Sequence, residues 1–486
     1  MRTIKVNFVQ IVTTILFTGI SLHAQMPEMP NDHSSSDAQH EHMPMNGVAA
    51  NFPQMGRAQK TPGTTLFTLE DAQKLANEFN PTLREAVARI NRAKARQLQA
   101  GLYPNPSVGY TADEIRGGST AGGKQGFFLR QTIITGGKLA NNRNVLSKEV
   151  TISELEAEQQ RLRVEIAIRT GFMRVLAGQE LLDSRRELAR IEQDYASTER
   201  LLGNSGQADE TEILQAEISA RRQKLATHVQ ENALLERWRV LAAVIGKPDL
   251  PVAVVSGDLQ TGWPELNEEQ IVTKIASESP AARIALAAAS RAEAEILQAK
   301  RAAVPDIELR GGLQYNNEPL GSVPPHAVGW EGLADVGVQI PIFNRNQGGV
   351  AAAQAESERA NLEQQRVFLA LRRRTTSVLD RYTDARLMAV EYREELLPRA
   401  RKAYSLMNEK YGQMLASYPR VIEMQRKLFE LQCEYIQSLE TVWNTGIALE
   451  GFLLTDGLEN PARPDEIDPV RELDLPVPDP VLSVEP

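Results

Sequence analysis

The sequence predicts a mainly α-helical protein that also contributes four β-strands to a membrane β-barrel and that repeats one design twice. Three observations indicate this fold. The chain is similar to itself at a fixed distance, alternating apolar and polar residues follow a proline in each copy, and two very long segments have the spacing of coiled coils. The length of 486 residues is sufficient for two or three ordinary domains or for one long one.

Residues 1–24 have the three parts of a secretory signal peptide. Arg2 and Lys5 are basic, residues 8–22 are largely apolar, and Ala24 ends a plausible cleavage site. A short buried helix is the alternative interpretation. We therefore expect the mature chain to begin near Gln25, outside the cytoplasm.

Composition and motif content argue against several classes of function. The net charge of −9 argues against a nucleic-acid partner, which requires a basic face. No phosphate-binding loop, dinucleotide-binding glycine turn, catalytic serine motif or zinc-protease motif is present, so we expect neither an enzyme nor a required cofactor.

Cys433 is the single cysteine, so no intrachain disulfide can form and no lipid anchor is expected at the cleavage site. No apolar run reaches 18 residues, so any membrane passage must use strands.

Each copy begins with a predicted helix that a proline closes. The segments 69–106 and 266–306 align, and 199 residues separate both Pro81 from Pro280 and Pro106 from Pro305. Both segments are rich in Ala, Arg and Glu. The sequence therefore predicts a long surface helix at the start of each copy.

After each closing proline the period changes from that of a helix to that of a strand. The apolar positions that alternate are Val108, Tyr110, Phe127, Leu129 and Ile133 in the first copy, and Ile307, Leu309, Leu313, Tyr315, Val336, Val338, Ile340 and Ile342 in the second. Each copy thus predicts one hairpin of strands about ten residues long, a length that crosses a bilayer when tilted. Four strands cannot close a barrel, and lipid does not tolerate unpaired edges, so strands of other protomers must complete it.

Past the hairpins the distance between matching residues becomes 208, as between Lys138 and Asn346 and between Gly206 and Met414. The 68 residues between these landmarks predict a helix of about 100 Å in each copy. Pro398 is expected to kink or break the second of these helices. Helices at 209–246 and 418–454 then return the chain to the start of each copy.

The long segments have the apolar spacing of coiled coils, with charged residues between. The positions are Leu155, Leu162, Ile166, Met173 and Leu176 in the first copy, and Leu428, Leu431, Tyr435, Val442 and Leu449 in the second. A stalk-like coiled coil is the alternative interpretation, but a stalk has no use for hairpins of membrane length.

Three short motifs occur in a fixed order along the chain. They are QTIITGGK at 131–138, PIFNRNQG at 341–348, and Tyr411 with Ser417 and Tyr418 ahead of a helix. Over residues 66–457 the chain resembles the TolC-like outer-membrane factors, the exit ducts of Gram-negative tripartite efflux and secretion systems. Within that family it most resembles the heavy-metal branch that includes CzcC and CusC.

This resemblance implies a homotrimer in which three sets of four strands close a twelve-stranded barrel in the outer membrane of a Gram-negative bacterium. A long antiparallel coiled-coil α-helical barrel then extends into the periplasm. A periplasmic adaptor (membrane fusion) protein, an inner-membrane RND transporter and outer-membrane lipid are the implied partners. The copies correspond to residues 66–250 and 266–456 with an equatorial linker at 251–265. Residues 25–65 and 457–486 are expected to be disordered.

The turns at 202–209 and 410–418 correspond in the family to periplasmic tips that contact the adaptor and hold a gate. The tip residues are Gly203, Gly206, Tyr411, Met414, Ser417 and Tyr418. Met414 stands where the family usually has glycine, which leaves the backbone geometry of the second tip open. Asp209, Glu210 and Glu212 are candidates for an acidic mouth that concentrates cations. The alternative is that they stabilise the positive N-terminus of a helix.

Residues 25–55 concentrate ligands for soft metal ions. The candidate ligands are Met26, Met29, His33, His40, His42, Met43 and Met45. Thioether and imidazole groups together favour copper or silver, and histidine also admits zinc. Because the segment has no helical or strand period, we expect a flexible arm that binds metal weakly, without fixed geometry. A solvated tail without a metal role is the alternative.

Three functions follow from these features. The first is an exit duct for heavy-metal cations, either copper and silver or cobalt, zinc and cadmium. The second is the same duct serving drugs or type I secretion. The third, from a different class, is a soluble periplasmic metal-binding coiled-coil protein that never enters a membrane.

Overall fold

Helices dominate the part of the chain that the structure describes. The computed structural model describes residues 66–115, 123–320 and 326–458, all within the unit Phe52–Pro486. The elements in chain order are α1 (Leu69–Phe79), α2 (Pro81–Ala100), β1 (Ser107–Asp113), β2 (Lys124–Ile133), α3 (Lys138–Asn204), α4 (Glu210–Ile245), α5 (Glu268–Glu278), α6 (Pro280–Ala302), β3 (Ile307–Leu320), β4 (His326–Val338), α7 (Gln347–Glu391), a π-helical turn (Tyr392–Leu396), α8 (Leu397–Gly412) and α9 (Tyr418–Glu450). The predicted signal peptide, the His/Met segment and nearly all of the tail at 457–486 lie outside the described residues. Among the described helices, none is both long enough and apolar enough to cross a bilayer.

Each copy starts with two helices, where the sequence predicted one. Pro81 and Pro280 occupy the first position of α2 and α6, where the missing N–H has no helical partner to lose. The residue before a proline is disfavoured in helical conformation, so the preceding helix ends there. Asn80 then caps α2 by accepting a hydrogen bond from the Thr82 N–H at 2.9 Å.

The long helix is continuous in the first copy and interrupted in the second. Helix α3 runs for 67 residues, about 100 Å. In the second copy α7 ends at Glu391, and a five-residue π-helical turn precedes α8. Pro398 lies in the first turn of α8, and since its ring clashes with the carbonyl one turn earlier, a wider turn accommodates it. The predicted interruption at Pro398 is therefore confirmed.

The four strands form one antiparallel sheet in the order β1-β2-β3-β4. Val108 lies opposite Leu129, Leu129 opposite Gly311, and Gly311 opposite Ala334. Strands β1 and β4 are therefore the two edges. The prediction for β4 was wrong in position: it ends at Val338, so Ile340 and Ile342 lie beyond it. Pro341 between them has no N–H to give to a neighbouring strand.

The largest apolar core lies where α3, α4, α7 and α9 pack with the segment 251–265. Among the predicted coiled-coil positions of α9, Leu428, Tyr435, Val442 and Leu449 are at most 1% exposed. In α3 the spacing predicted the core less well, because that helix packs on several sides. Its most buried side chains include Val164, Ile168, Phe172 and Val175, which the heptad spacing missed. Cys433 lies in this core at 4% exposed, and burial raises the pKa of its thiol.

The equatorial linker is fixed to the core by hydrogen bonds. The Phe67 N–H donates to the Val254 carbonyl at 3.0 Å. The indole N–H groups of Trp263 and Trp443 both donate to the carbonyl of Leu259, at 2.8 and 2.9 Å. Leu259 itself is fully buried.

Candidate functional site

The four-stranded sheet has one apolar face. Alternate residues of a strand point to opposite faces, and residues directly opposite each other on paired strands share a face. One face carries Val108, Tyr110, Phe127, Leu129, Ile133, Leu309, Leu313, Tyr315, Trp330, Val336 and Val338, each at least 36% exposed. Tyr110 packs edge-on against Phe127, and Tyr315 against Trp330, both at 5.5 Å between ring centroids. An exposed apolar surface of this size suits lipid and not water.

The opposite face of the sheet is polar. Its charged residues are Asp113, Lys124, Arg130, Glu308, Arg310, Glu331 and Asp335. Glu331 accepts hydrogen bonds from the amides of Gln314 and Asn316 at 3.1 and 3.0 Å. The sheet thus has one apolar and one polar face, with residues of the two kinds alternating along each strand.

The two predicted tip turns have the same backbone geometry. Gly206 has φ 74°, and the Gln207 N–H donates to the Leu202 carbonyl at 2.8 Å. Met414 has φ 60°, and the Leu415 N–H donates to the Lys410 carbonyl at 2.8 Å. Both are left-handed helix ends of the Schellman type. Met414 therefore adopts the conformation of the glycine it replaces, and its side chain is 94% exposed.

Gly203 permits close packing at the first tip. A Cβ atom at this position would clash with the side chain of Ile213 on α4. A larger residue at this position therefore requires the Ile213 side chain to move.

Three tyrosines cluster beside the second tip. The ring of Tyr418 lies 5.4 Å from that of Tyr411 and 5.8 Å from that of Tyr195 on α3. Burial, followed by the charge of the buried Glu199, raises the pKa of Tyr195 to about 12. Burial also raises the pKa of Tyr418, whose backbone begins α9 after the N-cap Ser417. The hydroxyl groups of Tyr195 and Tyr418 are therefore neutral at physiological pH.

A buried ion pair joins α3 to α9 just inside the tips. The guanidinium of Arg426 donates to both carboxylate oxygens of Glu192, at 2.7 and 3.0 Å, and Glu192 is fully buried. Nearby, Leu188, Ile191, Ile422 and Phe429 form a small separate apolar cluster. The pair is not apparent from the sequence, because 234 residues separate its members.

The three acidic candidates lie at the start of α4. Asp209 is the N-cap, and with Glu212 it forms a capping box in which the Asp209 N–H donates to the Glu212 carboxylate at 3.3 Å. Glu210 occupies the first turn. This geometry favours the stabilisation of the helix N-terminus for Asp209 and Glu212, and the acidic mouth remains a prediction.

The predicted metal ligands from Met26 to Met45 lie outside the described residues. Within the described part of the chain, no group of three or more His, Cys, Asp or Glu side chains could hold a metal ion. His228 lies 3.2 Å from a carboxylate oxygen of Glu231, and His326 begins β4.

Glu180 is the most perturbed carboxyl group of the equatorial region. Burial raises its pKa to about 7, and the charges of Asp258 and Asp183 add to the effect. One of its carboxylate oxygens is buried without a hydrogen-bond partner. Neither the helix pattern nor the linker composition signalled this site.

Paired long helices that carry a two-faced, four-stranded sheet are the fold of outer-membrane channels. The structure of CusC has a TM-score of 0.66 at 16% identity and covers 81% of this chain and 93% of its own. VceC of Vibrio cholerae has a TM-score of 0.63 at 16% identity, and the match covers 80% of this chain and 97% of VceC. The MtrE channel of Neisseria gonorrhoeae has a TM-score of 0.63 at 14% identity, and the match covers 81% of this chain and 90% of MtrE.

By sequence, the chain is similar to the cobalt-zinc-cadmium resistance protein CzcC of Cupriavidus metallidurans. The two are 23% identical over 428 residues, which cover 84% of this chain and 98% of CzcC. No family model matches the chain. The predicted resemblance to the TolC-like outer-membrane factors of the CzcC and CusC kind is thus confirmed.

Proposed function

We propose that the chain is the outer-membrane exit duct of a tripartite efflux system and that it exports heavy-metal cations. The observation that carries this proposal is the two-faced sheet with two unpaired edges, β1 and β4. In lipid every backbone group needs a partner, so these edges must pair with strands of further copies. Three copies supply twelve strands, an even number that can close. The protein then lies in the outer membrane with its apolar face toward lipid and its polar face toward the lumen.

The long helices form the periplasmic part of this duct. At about 100 Å, α3 is far longer than a helix in an ordinary domain. Three apolar residues of the two tip turns, Leu201, Met414 and Leu415, are 69%, 94% and 73% exposed. Exposed apolar side chains of this kind are suitable contacts for an adaptor protein. A gate belongs at the same end, because an open tunnel leaks.

The similarity to CzcC, a cobalt-zinc-cadmium resistance protein, supports heavy-metal cations as the cargo. The His/Met arm at 25–55 adds the ligand chemistry of copper, silver or zinc and acts as a weak capture segment. The duct is passive. The energy for export comes from an inner-membrane RND transporter that engages the duct through the adaptor.

The test is the metal sensitivity of a deletion strain. Complementation with the full chain is expected to restore growth in copper, silver, zinc, cobalt or cadmium, and a chain lacking residues 25–59 is expected to restore it only in part. Sensitivity to dyes and antibiotics instead of metals would favour drugs as the cargo. Recovery of the protein in the soluble periplasmic fraction would exclude the duct altogether.

A further inference from the structure

Two arginines lie directly opposite each other on the polar face of the sheet. Arg130 on β2 and Arg310 on β3 are paired in the register, so their side chains project from the same face. Like charges in this position destabilise a sheet. A counter-charge between or beside them is therefore expected.

The protein supplies only part of that counter-charge. Asp335, opposite Arg310 on β4, approaches the guanidinium at 3.9 Å and is 64% exposed. Arg130 has no carboxylate within ion-pair distance among the described residues, and its other cross-strand neighbour is Ser107. The row across the sheet thus has two positive charges and one negative charge.

An aromatic ring positions the two guanidinium groups. The Phe128 ring centroid lies 4.3 Å from the guanidinium carbon of Arg310 and 5.5 Å from that of Arg130. Cation–π contact at these distances favours a fixed orientation of both groups. The neighbours of Phe128 across the strands are Gly109 and Gly312, and a side chain at Gly109 would collide with the ring. The glycines leave room for the ring on this face.

We propose that Arg130 and Arg310 form a binding site for a small inorganic anion and raise the anion permeability of the membrane part of the duct. This inference rests on the proposed function, in which the polar face lines the lumen. Three copies then place six guanidinium groups in one row of the barrel, with three carboxylates of Asp335. Rings of arginine are a means by which pores select anions.

The experiment measures the reversal potential of the purified full-length channel in planar bilayers under a KCl gradient. The variant Arg130→Gln with Arg310→Gln is expected to lower the chloride-to-potassium permeability ratio by at least about twofold. Lys124→Gln removes the same charge from the same face, three rows away, and is expected to change the ratio less. Inorganic phosphate is expected to reduce the wild-type current and to lose this effect in the double variant.

Further variants separate charge from folding. The single variant Arg130→Gln removes a residue that has no acidic partner among the described residues, so the variant protein should insert into the bilayer normally. Its chloride-to-potassium permeability ratio is expected to lie between those of the wild type and the double variant. Phe128→Leu keeps both charges and is expected to weaken the phosphate effect at unchanged conductance. Equal effects of Lys124→Gln and the double variant, or no change in either, would overturn the inference. A wild-type protein that forms no channel would instead overturn the proposed function.

Discussion

Arg426 on α9 holds both carboxylate oxygens of the fully buried Glu192 on α3, at 2.7 and 3.0 Å. The pair lies between the apolar core of the equatorial region and the tip turns, where the helices are otherwise joined by a small apolar cluster. Loss of one member leaves the other buried without its partner, which is costlier than loss of both.

Glu192→Gln is expected to lower the free energy of local opening at the tip by about 1–2 kcal/mol. This loss is smaller than the loss expected for a fully buried ion pair, because the Arg426 side chain is 36% exposed. Hydrogen exchange of the amides around Leu188 and Phe429 measures this. Arg190→Gln, which breaks surface pairs with Glu187 and Asp194, is the matched control and should change exchange little. A double variant Glu192→Gln/Arg426→Gln that is worse than either single variant would contradict the interpretation.

Gly206→Met is expected to destabilise the first tip by about 1 kcal/mol, since a side chain is disfavoured at positive φ. Met414→Gly, the reciprocal change, relieves the same strain at φ 60° and should not destabilise the second tip. Hydrogen exchange of the Gln207 and Leu415 amides, which donate across the two turns, reports both effects. Faster exchange at Leu415 in Met414→Gly would show that the methionine itself stabilises the turn.

Glu180→Gln is expected to stabilise the protein at pH 8 and to have little effect near pH 4. The folded-state pKa of about 7 lies above the usual 4.5, so the folded protein retains a proton that the unfolded chain releases. Stability therefore falls as pH rises from about 4.5 to 7, by on the order of 2–3 kcal/mol at most. Thermal unfolding at several pH values checks this, with the exposed Glu165→Gln on the same helix as control. A gain that is the same at every pH would contradict the expected titration.

Leu313→Arg is expected to reduce the amount of folded protein in the outer membrane, because it puts a charge on the apolar face of the sheet. Near the midplane of the bilayer such a charge costs about 2–4 kcal/mol. Gln314→Arg adds the same charge one residue later on the polar face, beside Glu331, and should be tolerated. Membrane fractionation and heat-modifiable migration measure both. Equal recovery of the two variants would mean that the apolar face does not contact lipid.

The sequence predicted features that depend on local residues. The proline at 398 predicted the interruption of the second long helix, and the alternation at Leu309, Leu313 and Tyr315 predicted β3. Gly206 and Met414, 208 residues apart, correctly marked matching turns. In each case neighbours along the chain set the conformation, so no tertiary information was needed.

Features that depend on distant residues were not predicted. The opposition of Arg130 and Arg310 requires the register of two strands that 180 positions separate, and a slip of one residue would place them on different faces. The raised pKa of Glu180 depends first on burial and then on the charge of Asp258 in the linker, and both require the tertiary fold. The division of each first helix in two is, by contrast, a local feature: Pro81 and Pro280 each begin a new helix, so the prediction of one helix is wrong.

The position of Cys433 makes the tips accessible to spectroscopy. Its thiol is enclosed between helices, and its raised pKa keeps it unreactive toward maleimide reagents at neutral pH. A cysteine introduced as Met414→Cys therefore carries the only reactive label, without prior removal of the native residue. In the proposed trimer, paired spin labels on neighbouring copies would then measure the distance across the tip turns, with and without the proposed adaptor.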